Sequence, residues 1–407
     1  MAVLPLLGSA LGVLASLALL VLALPVGVFC VQIFAGVLSV SPRPRSASGA
    51  ASGTVRPRMT VLVPAHDEAG GIATTVALLL REVAPGDRVL VIADNCQDAT
   101  AALARAAGAD VTERRDLERR GKGYALDHGL RQLQADPPEV VVIVDADCLV
   151  RPGALSLIAS RAHAEQAPIQ ATYLMQAPAG SRLSTRVAAF AFIIKNQVRP
   201  TGYARFGLPC QLTGSGMAFP WALLQRVSLA TGHIVEDMQL GTELALAGSA
   251  PRFEAAARVD SEFPTSAAGA ASQRTRWEHG HLQVLTQQAP RLLARGLRRL
   301  DLRSAALAAD LLVPPLALLV MAVLVLVGLS GLAAGLGGPV APLGVGATML
   351  ALLTSAVLAA WWRHGRSTLA LGELLQAPAY MLAKIPVYLR YLVARQSEWV
   401  RTRRRGE

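Results

Sequence analysis

No charged residue occurs between Met1 and Val40, and none between Leu311 and Trp362. Uncharged stretches of that length exclude a wholly water-facing chain. The hydrophobic fraction of 53% and mean hydropathy of +0.41 exceed what a soluble protein of 407 residues usually carries. The first run also lacks a basic start and a small-residue cleavage pattern, and it is too long for a signal-peptide core. It is therefore expected to be a retained membrane helix. Cysteine is scarce: Cys30, Cys96, Cys148 and Cys210 show no Cys-x-x-Cys spacing. That excludes the usual zinc frameworks and a disulfide scaffold, and leaves buried free thiols.

What charge there is sits beside the apolar runs. The formal net charge is +11, and arginines gather at 43–58, at 291–303, at Arg363 and Arg366, and at 401–405. The core has no basic patch interleaved with aromatics, so nucleic acid is not an expected partner. Basic residues flanking lipid follow the positive-inside pattern, whereas the loop 330–342 carries no charge. The expected arrangement puts that loop and the amino terminus outside and the central region in the cytoplasm, at the cell (inner or plasma) membrane. The divisions are an N-terminal transmembrane segment over 1–40, a basic flexible linker over 41–58, a central charged globular domain over 59–287 and an interfacial amphipathic helix over 288–304. Two transmembrane helices follow over 305–366, about 311–332 and 343–362. The remainder, 367–407, holds an interfacial or re-entrant helix near 369–392 and a basic cytoplasmic tail.

Between the apolar ends, strand-like and helix-like pieces alternate. MTVLV at 59–63, RVLVIAD at 88–94 and VVVIVDADCLV at 140–150 are apolar runs that suit strands buried on both faces, with helical stretches near 71–83, 100–107 and 123–133 between them. The alternation predicts a parallel sheet covered by helices. In such sheets ligands bind at the carboxyl ends of the strands. Acids stand at all three: Asp67 and Glu68, Asp94, and the Asp145-Ala146-Asp147 pair. Two carboxylates so spaced can hold one divalent cation together with the phosphate oxygens it neutralises. Alone, Asp-x-Asp could also cap the helix starting near Pro152, and Glu236-Asp237 could merely place charge in a first helical turn.

Taken together, these motifs resemble the family-2 glycosyltransferases, nucleotide-sugar enzymes of the GT-A fold, over about Met59 to His281. The resemblance implies an α/β, Rossmann-like GT-A nucleotide-sugar-binding cytoplasmic domain with flanking transmembrane helices. It implies that Pro64 and Ala65 line the uracil pocket with Glu68 beside them, and that Asp94 contacts the base or ribose. Asp145 and Asp147 match the metal-binding pair, for Mg2+ or Mn2+. Gly121-Lys122-Gly123 matches a Lys that reaches the diphosphate, its glycines letting the backbone approach. Gly214, Ser215 and Gly216 match the acceptor-side loop, and Glu236-Asp237 the pair whose Asp is the catalytic base. Gln273, Arg276 and Trp277 match the Gln-x-x-Arg-Trp signature shared by membrane synthases of cellulose, chitin and hyaluronan and by ceramide glucosyltransferase.

Physical chemistry assigns parallel roles. Expelling a nucleoside diphosphate develops negative charge that a metal on Asp147, with Lys122 and Arg276, can stabilise. A hydroxyl acceptor needs a carboxylate such as Asp237 to take its proton, and Trp277 can stack on a sugar. The expected function is an inverting transfer of a hexose or N-acetylhexosamine from a UDP-sugar to a membrane-associated acceptor, a lipid or a growing exopolysaccharide. The other reading is a non-catalytic membrane protein that keeps the sugar-nucleotide fold for regulation; the presence of Asp145, Asp147 and Asp237 argues against it. Three spans are few for a polymer channel, which leaves room for membrane partner subunits.

Overall fold

Alternate residues of a strand face opposite ways, and in the central strands both sets are apolar. The computed structural model describes residues 3–39, 56–264 and 266–393. The linker, apart from 56–58, and the tail at 401–405 lie outside them. Val61, Val63, Val89, Val91, Val140 and Val142 pack on one face under the helices Ile72–Leu80 and Ala154–Glu165. Leu62, Leu90, Ile92, Val141 and Ile143 pack on the other under Lys122–Gln132 and Glu236–Leu246. The sheet is thus a central layer between helical layers, in a mixed α/β fold.

Its strands are β1 (Met59–Ala65), β2 (Arg88–Asp94), β3 (Asp110–Arg114), β4 (Val140–Ile143), β5 (Leu149–Val150), β6 (Ile169–Gln176), β7 (Met217–Pro220) and β8 (Arg252–Glu262). They lie in the order β3-β2-β1-β4-β7-β6-β8-β5. The first four are parallel, as the alternation predicts. The sheet is mixed beyond them, because β7 runs antiparallel to β4 and β6, and β5 antiparallel to β8. Strand β8 has no counterpart in the sequence reading. Its RFEAAARVDSE is rich in alanine and charge, and it becomes a strand through its long parallel pairing with β6.

Three described helices are long and apolar enough to cross a membrane: Val3–Val37, Leu316–Gly335 and Ala341–Gly365. The first, with 35 residues, is about 52 Å long, well over the ~30 Å of a hydrocarbon core. Its surplus turns reach the half of the molecule that holds the sheet. There Gln32 accepts from Arg199 Nε at 2.7 Å and donates to Asp310 at 2.6 Å, and Arg199 Nη2 donates to Asp310 at 2.7 Å, all buried. At its other end Gly12 lies against Pro339, where a Cβ would come within 2.6 Å of the proline ring. The start of the first helix and the uncharged turn between the other two are therefore at one end of the bundle.

The stretch expected as one interfacial helix over 288–304 is broken. Ala289–Arg299 ends at Leu300, which has a φ of 51°, and the Asp301 carboxylate caps Leu302–Leu311 by accepting from the amides of Arg303 and Ser304. The single helix expected near 369–392 is three short ones, Leu371–Leu374, Ala377–Leu382 and Ile385–Val393. The latter two each carry a proline in their first turn, where its missing N–H costs nothing.

Candidate active site

Because β1, β2 and β4 are parallel, Glu68, Asp94 and Asp145 leave the sheet on one edge. Antiparallel β7 begins on that same edge, so the Gly214–Gly216 loop arrives beside Asp145. The Asp145 amide donates to Ser215 Oγ at 3.1 Å, and the Gly216 amide donates to Ile143 O at 2.9 Å. Lys122, at the start of its helix, ion-pairs with Asp145, donates to Gly214 O at 2.6 Å and lies 3.8 Å from Glu236. Burial alone would lower its pKa; the carboxylates of Asp145 and Glu236 outweigh that and raise it. Ser261 of β8 donates to Asp147 Oδ2 at 3.0 Å.

Glu236 and Asp237 open their helix, and the Met238 amide donates to Asp237 Oδ1 at 2.8 Å. Burial raises the pKa of Asp145, Glu236 and Asp237, with Lys122 pulling each back. Burial also pulls Arg276 down against Glu236, Asp145 and Asp237. These groups share a cavity of ≈ 640 Å³, within the range of small-molecule sites.

Most of the residues singled out from the sequence border that cavity. Pro64, Ala65, Glu68 and Asp94 reach it from strand ends, and Lys122, Asp145, Asp147 and Gly214 from the loops beside them. Glu236 and Asp237 come from their helix, and Gln273, Arg276 and Trp277 from Ala267–Gln287. Ser215 and Gly216 do not line it. Ser215 is fully buried and holds the β4 and β7 ends together. Trp277 also packs against the core, its ring tilted 42° to that of Phe192 with centroids 5.6 Å apart. Gly123 has a different reason to be glycine from the one expected: a Cβ there would lie 2.5 Å from Thr231 O, so it admits the 229–231 loop.

Two contributors were not anticipated. Arg114 grips Asp94 at 2.6 Å and lies over Tyr124, a partnership visible only once the register sets Asp94 opposite Arg114. The C-terminal helices supply Tyr380 and Lys384 to the cavity wall, anchored by Lys384 and Tyr388 on buried Glu278.

Asp145, Asp147 and Cys148 each offer an atom within 4.8 Å of the others. The carboxylate oxygens suit a hard divalent ion such as Mg2+ or Mn2+. The Cys148 thiol is a softer donor that suits such an ion less. The donor set thus fits a divalent metal held by the two aspartates.

A mixed α/β sheet with this acid-lined edge, a cavity beside it and a carboxylate pair that fits a divalent ion is the arrangement of the GT-A class. Residues 57–280, over half the chain, match the family model described as "Glycosyltransferase like family 2", and the chain belongs to that family. It is a nucleotide-sugar-dependent glycosyltransferase with helices able to span a membrane. Among solved structures it is similar to the mannosyltransferase PcManGT from Pyrobaculum calidifontis in complex with GDP-Man and Mn2+. That match has 19% identity, covers 92% of this chain and 100% of the other, and has a TM-score of 0.50. It is also similar to glucosyl-3-phosphoglycerate synthase from Mycobacterium tuberculosis in complex with Mn2+, UDP and phosphoglyceric acid, at 18% identity over 55% of this chain and 78% of that one, with a TM-score of 0.37. No curated protein matches the sequence.

Proposed function

We propose that the protein moves a hexose or N-acetylhexosamine from a UDP-sugar to a membrane-associated acceptor at the cytoplasmic face, with inversion at the anomeric carbon. One observation carries this reading: the cavity that holds Asp145 and Asp237 is continuous with the membrane helices, reaching Leu316 and Val320 of the second and Leu353 of the third. An acceptor anchored in lipid can therefore present its nucleophile to the donor without leaving the bilayer.

In this scheme Pro64, Ala65, Glu68 and Asp94 receive the nucleoside, and Arg114 fixes the Asp94 carboxylate. Lys122 and Arg276 face the diphosphate, and Asp145 and Asp147 hold the metal. A divalent ion bound there would neutralise the departing diphosphate. Asp237 accepts the acceptor's hydroxyl proton as the oxygen attacks the anomeric carbon and the bond to the diphosphate breaks. Burial, by raising its pKa, makes Asp237 the stronger base. The sequence offers no second carboxylate motif as a nucleophile, so one in-line displacement suffices, and an α-linked donor gives a β-linked product.

The test is to supply a panel of UDP- and GDP-sugars to inverted and right-side-out vesicles containing the protein and identify the product. Transfer from a UDP-sugar in inverted vesicles, β-linked to a membrane lipid or a membrane-held polymer, is expected. An α-linked product from an α-linked donor would overturn the single displacement, and transfer only in right-side-out vesicles would overturn the orientation.

A further inference from the structure

The membrane end of the cavity contains a cation that the chemistry above leaves unused. Lysine is rare in this chain: three of its 39 basic residues, Lys122, Lys195 and Lys384, and all three line the one cavity. Lys122 is paired with Asp145 and Lys384 with Glu278. Among the described residues the Lys195 ammonium has no hydrogen bond and no ion pair.

Its placement is specific. Lys195 stands on a π-helical turn, Ile194–Val198, between the helices Leu183–Ile193 and Arg199–Arg205. Such turns insert one extra residue into a helix and are frequent at functional sites. The flanking Ile194 and Val198 pack into the core shared with the membrane helices, and Asn196 donates to Tyr173 O at 3.2 Å, tying the turn to β6. Lys195 is left at the cavity wall, where the charged crevice gives way to apolar side chains. Burial pulls its pKa down, and Asp237 is the carboxylate that most opposes that pull. Partly buried at the cavity wall and with no hydrogen-bonded partner, this ammonium is a favourable place for a bound anion.

We propose that Lys195 binds the phosphate of an anionic lipid whose hydrocarbon chain lies among Val320, Leu353 and Leu374, so that the acceptor is a phosphate-bearing amphiphile rather than a neutral lipid or a free polymer. The proposal rests on the glycosyltransferase reading with Asp237 at the acceptor side. Lysine meets phosphate as a compact point charge, and the apolar wall beyond it gives a hydrocarbon chain a place that a water-soluble acceptor would not need. Two lipids share this chemistry. In a phosphodiester lipid with a free head-group hydroxyl, that hydroxyl attacks the anomeric carbon and passes its proton to Asp237 as the nucleoside diphosphate leaves. In a long-chain monophosphate, an ionised phosphate oxygen attacks and Asp237 takes no proton.

The experiment uses the full chain in neutral detergent with Mn2+ and UDP. Photoactivatable phosphatidylglycerol, a photoactivatable long-chain alkyl monophosphate and photoactivatable diacylglycerol are compared as probes. The phosphate-bearing probes are expected to label the wild type and diacylglycerol to label it weakly. Lys195→Met should weaken phosphate-probe labelling by about tenfold or more, Lys195→Arg should recover much of it, and Mn2+-dependent UDP binding should be the same in all three proteins. Equal labelling by diacylglycerol, or a Lys195→Met protein labelled like the wild type while UDP binds normally, overturns this proposal alone. A wild type that binds no nucleotide removes the reading beneath it as well. With sugar donor added, Asp237→Asn separates the two lipid sources: transfer to phosphatidylglycerol should be lost and transfer to the monophosphate retained.

Discussion

The two ends of the cavity are built on opposite principles. At the donor end nearly every charge has a partner: Asp94 with Arg114, Asp145 with Lys122, and Asp147 with the Ser261 hydroxyl. Those groups come from strand ends and helix starts, so the backbone fixes them before any ligand arrives. At the membrane end the wall is hydrocarbon from three long helices, and polar groups gather at the seam where those helices meet the catalytic half, as Gln32, Arg199 and Asp310 do. The two ends thus divide the labour. One end is preorganised for charge; the other is apolar and, on the proposed function, would receive the hydrocarbon of the acceptor.

The strongest way to break the donor end is to remove its metal. Asp147→Asn should abolish turnover, and chelation should do the same to the wild type; full activity in excess chelator would remove the metal from the chemistry. Next in size is Asp237→Asn, which with a hydroxyl acceptor should lower kcat by ~10²–10⁴-fold with nucleotide affinity unchanged. Its pH dependence has a defined sign. Burial raises the Asp237 pKa, the base works only when ionised, and so kcat should fall as pH drops through a value above that of an exposed aspartate. The acid limb should vanish in Asp237→Asn; a limb that persists unchanged would assign it to another group.

The same contrast explains what the sequence made legible. The donor end lies on β1, β2 and β4, whose uninterrupted apolar runs end in acids, so strand and site could be read from one local pattern. Arg114 could not, because only the register of β3 on β2 brings it to Asp94. Strand β8 was missed because its alanines and charges carry no strand signal without β6 beside it. The apolar spans were legible, but the edge of one shifted: Pro314 and Pro315 separate Leu302–Leu311 from Leu316–Gly335, so a span expected from Leu311 begins later. Lys195 was invisible as a site residue, since nothing around it in sequence marks a π-helical turn or the neighbours that leave its ammonium without a partner.

At the seam, Asp310→Ala would leave Arg199 buried with its charge uncompensated. The side chains are 7% and 9% exposed, so the expected loss is ~3–5 kcal/mol of stability, as for other broken buried pairs. Thermal unfolding in detergent measures it. The double replacement Arg199→Met with Asp310→Leu should recover a good part, because removing both charges also removes their desolvation. If the double variant is as unstable as the single, the seam depends on the polar network itself, including Gln32 and Gln211, rather than on charge balance.

The smallest expected effect tests whether a glycine at the donor end serves ligand or scaffold. Gly123 follows Lys122 and would be free to serve phosphate if its missing side chain opened space toward the crevice. Instead the space it leaves is filled by the chain: a Cβ would stand 2.5 Å from Thr231 O and 2.6 Å from Leu229 O, both backbone atoms that cannot rotate aside. Gly123→Ala should therefore act as overpacking and destabilise by ~1–3 kcal/mol. The 229–231 loop leads into Glu236 and Asp237, so the displacement should reach the base before it reaches the nucleotide. The expected signature is a lower melting temperature with a modest fall in kcat and an unchanged affinity for UDP. A variant with unaltered melting and a weakened hold on UDP would return Gly123 to the phosphate side of the cavity.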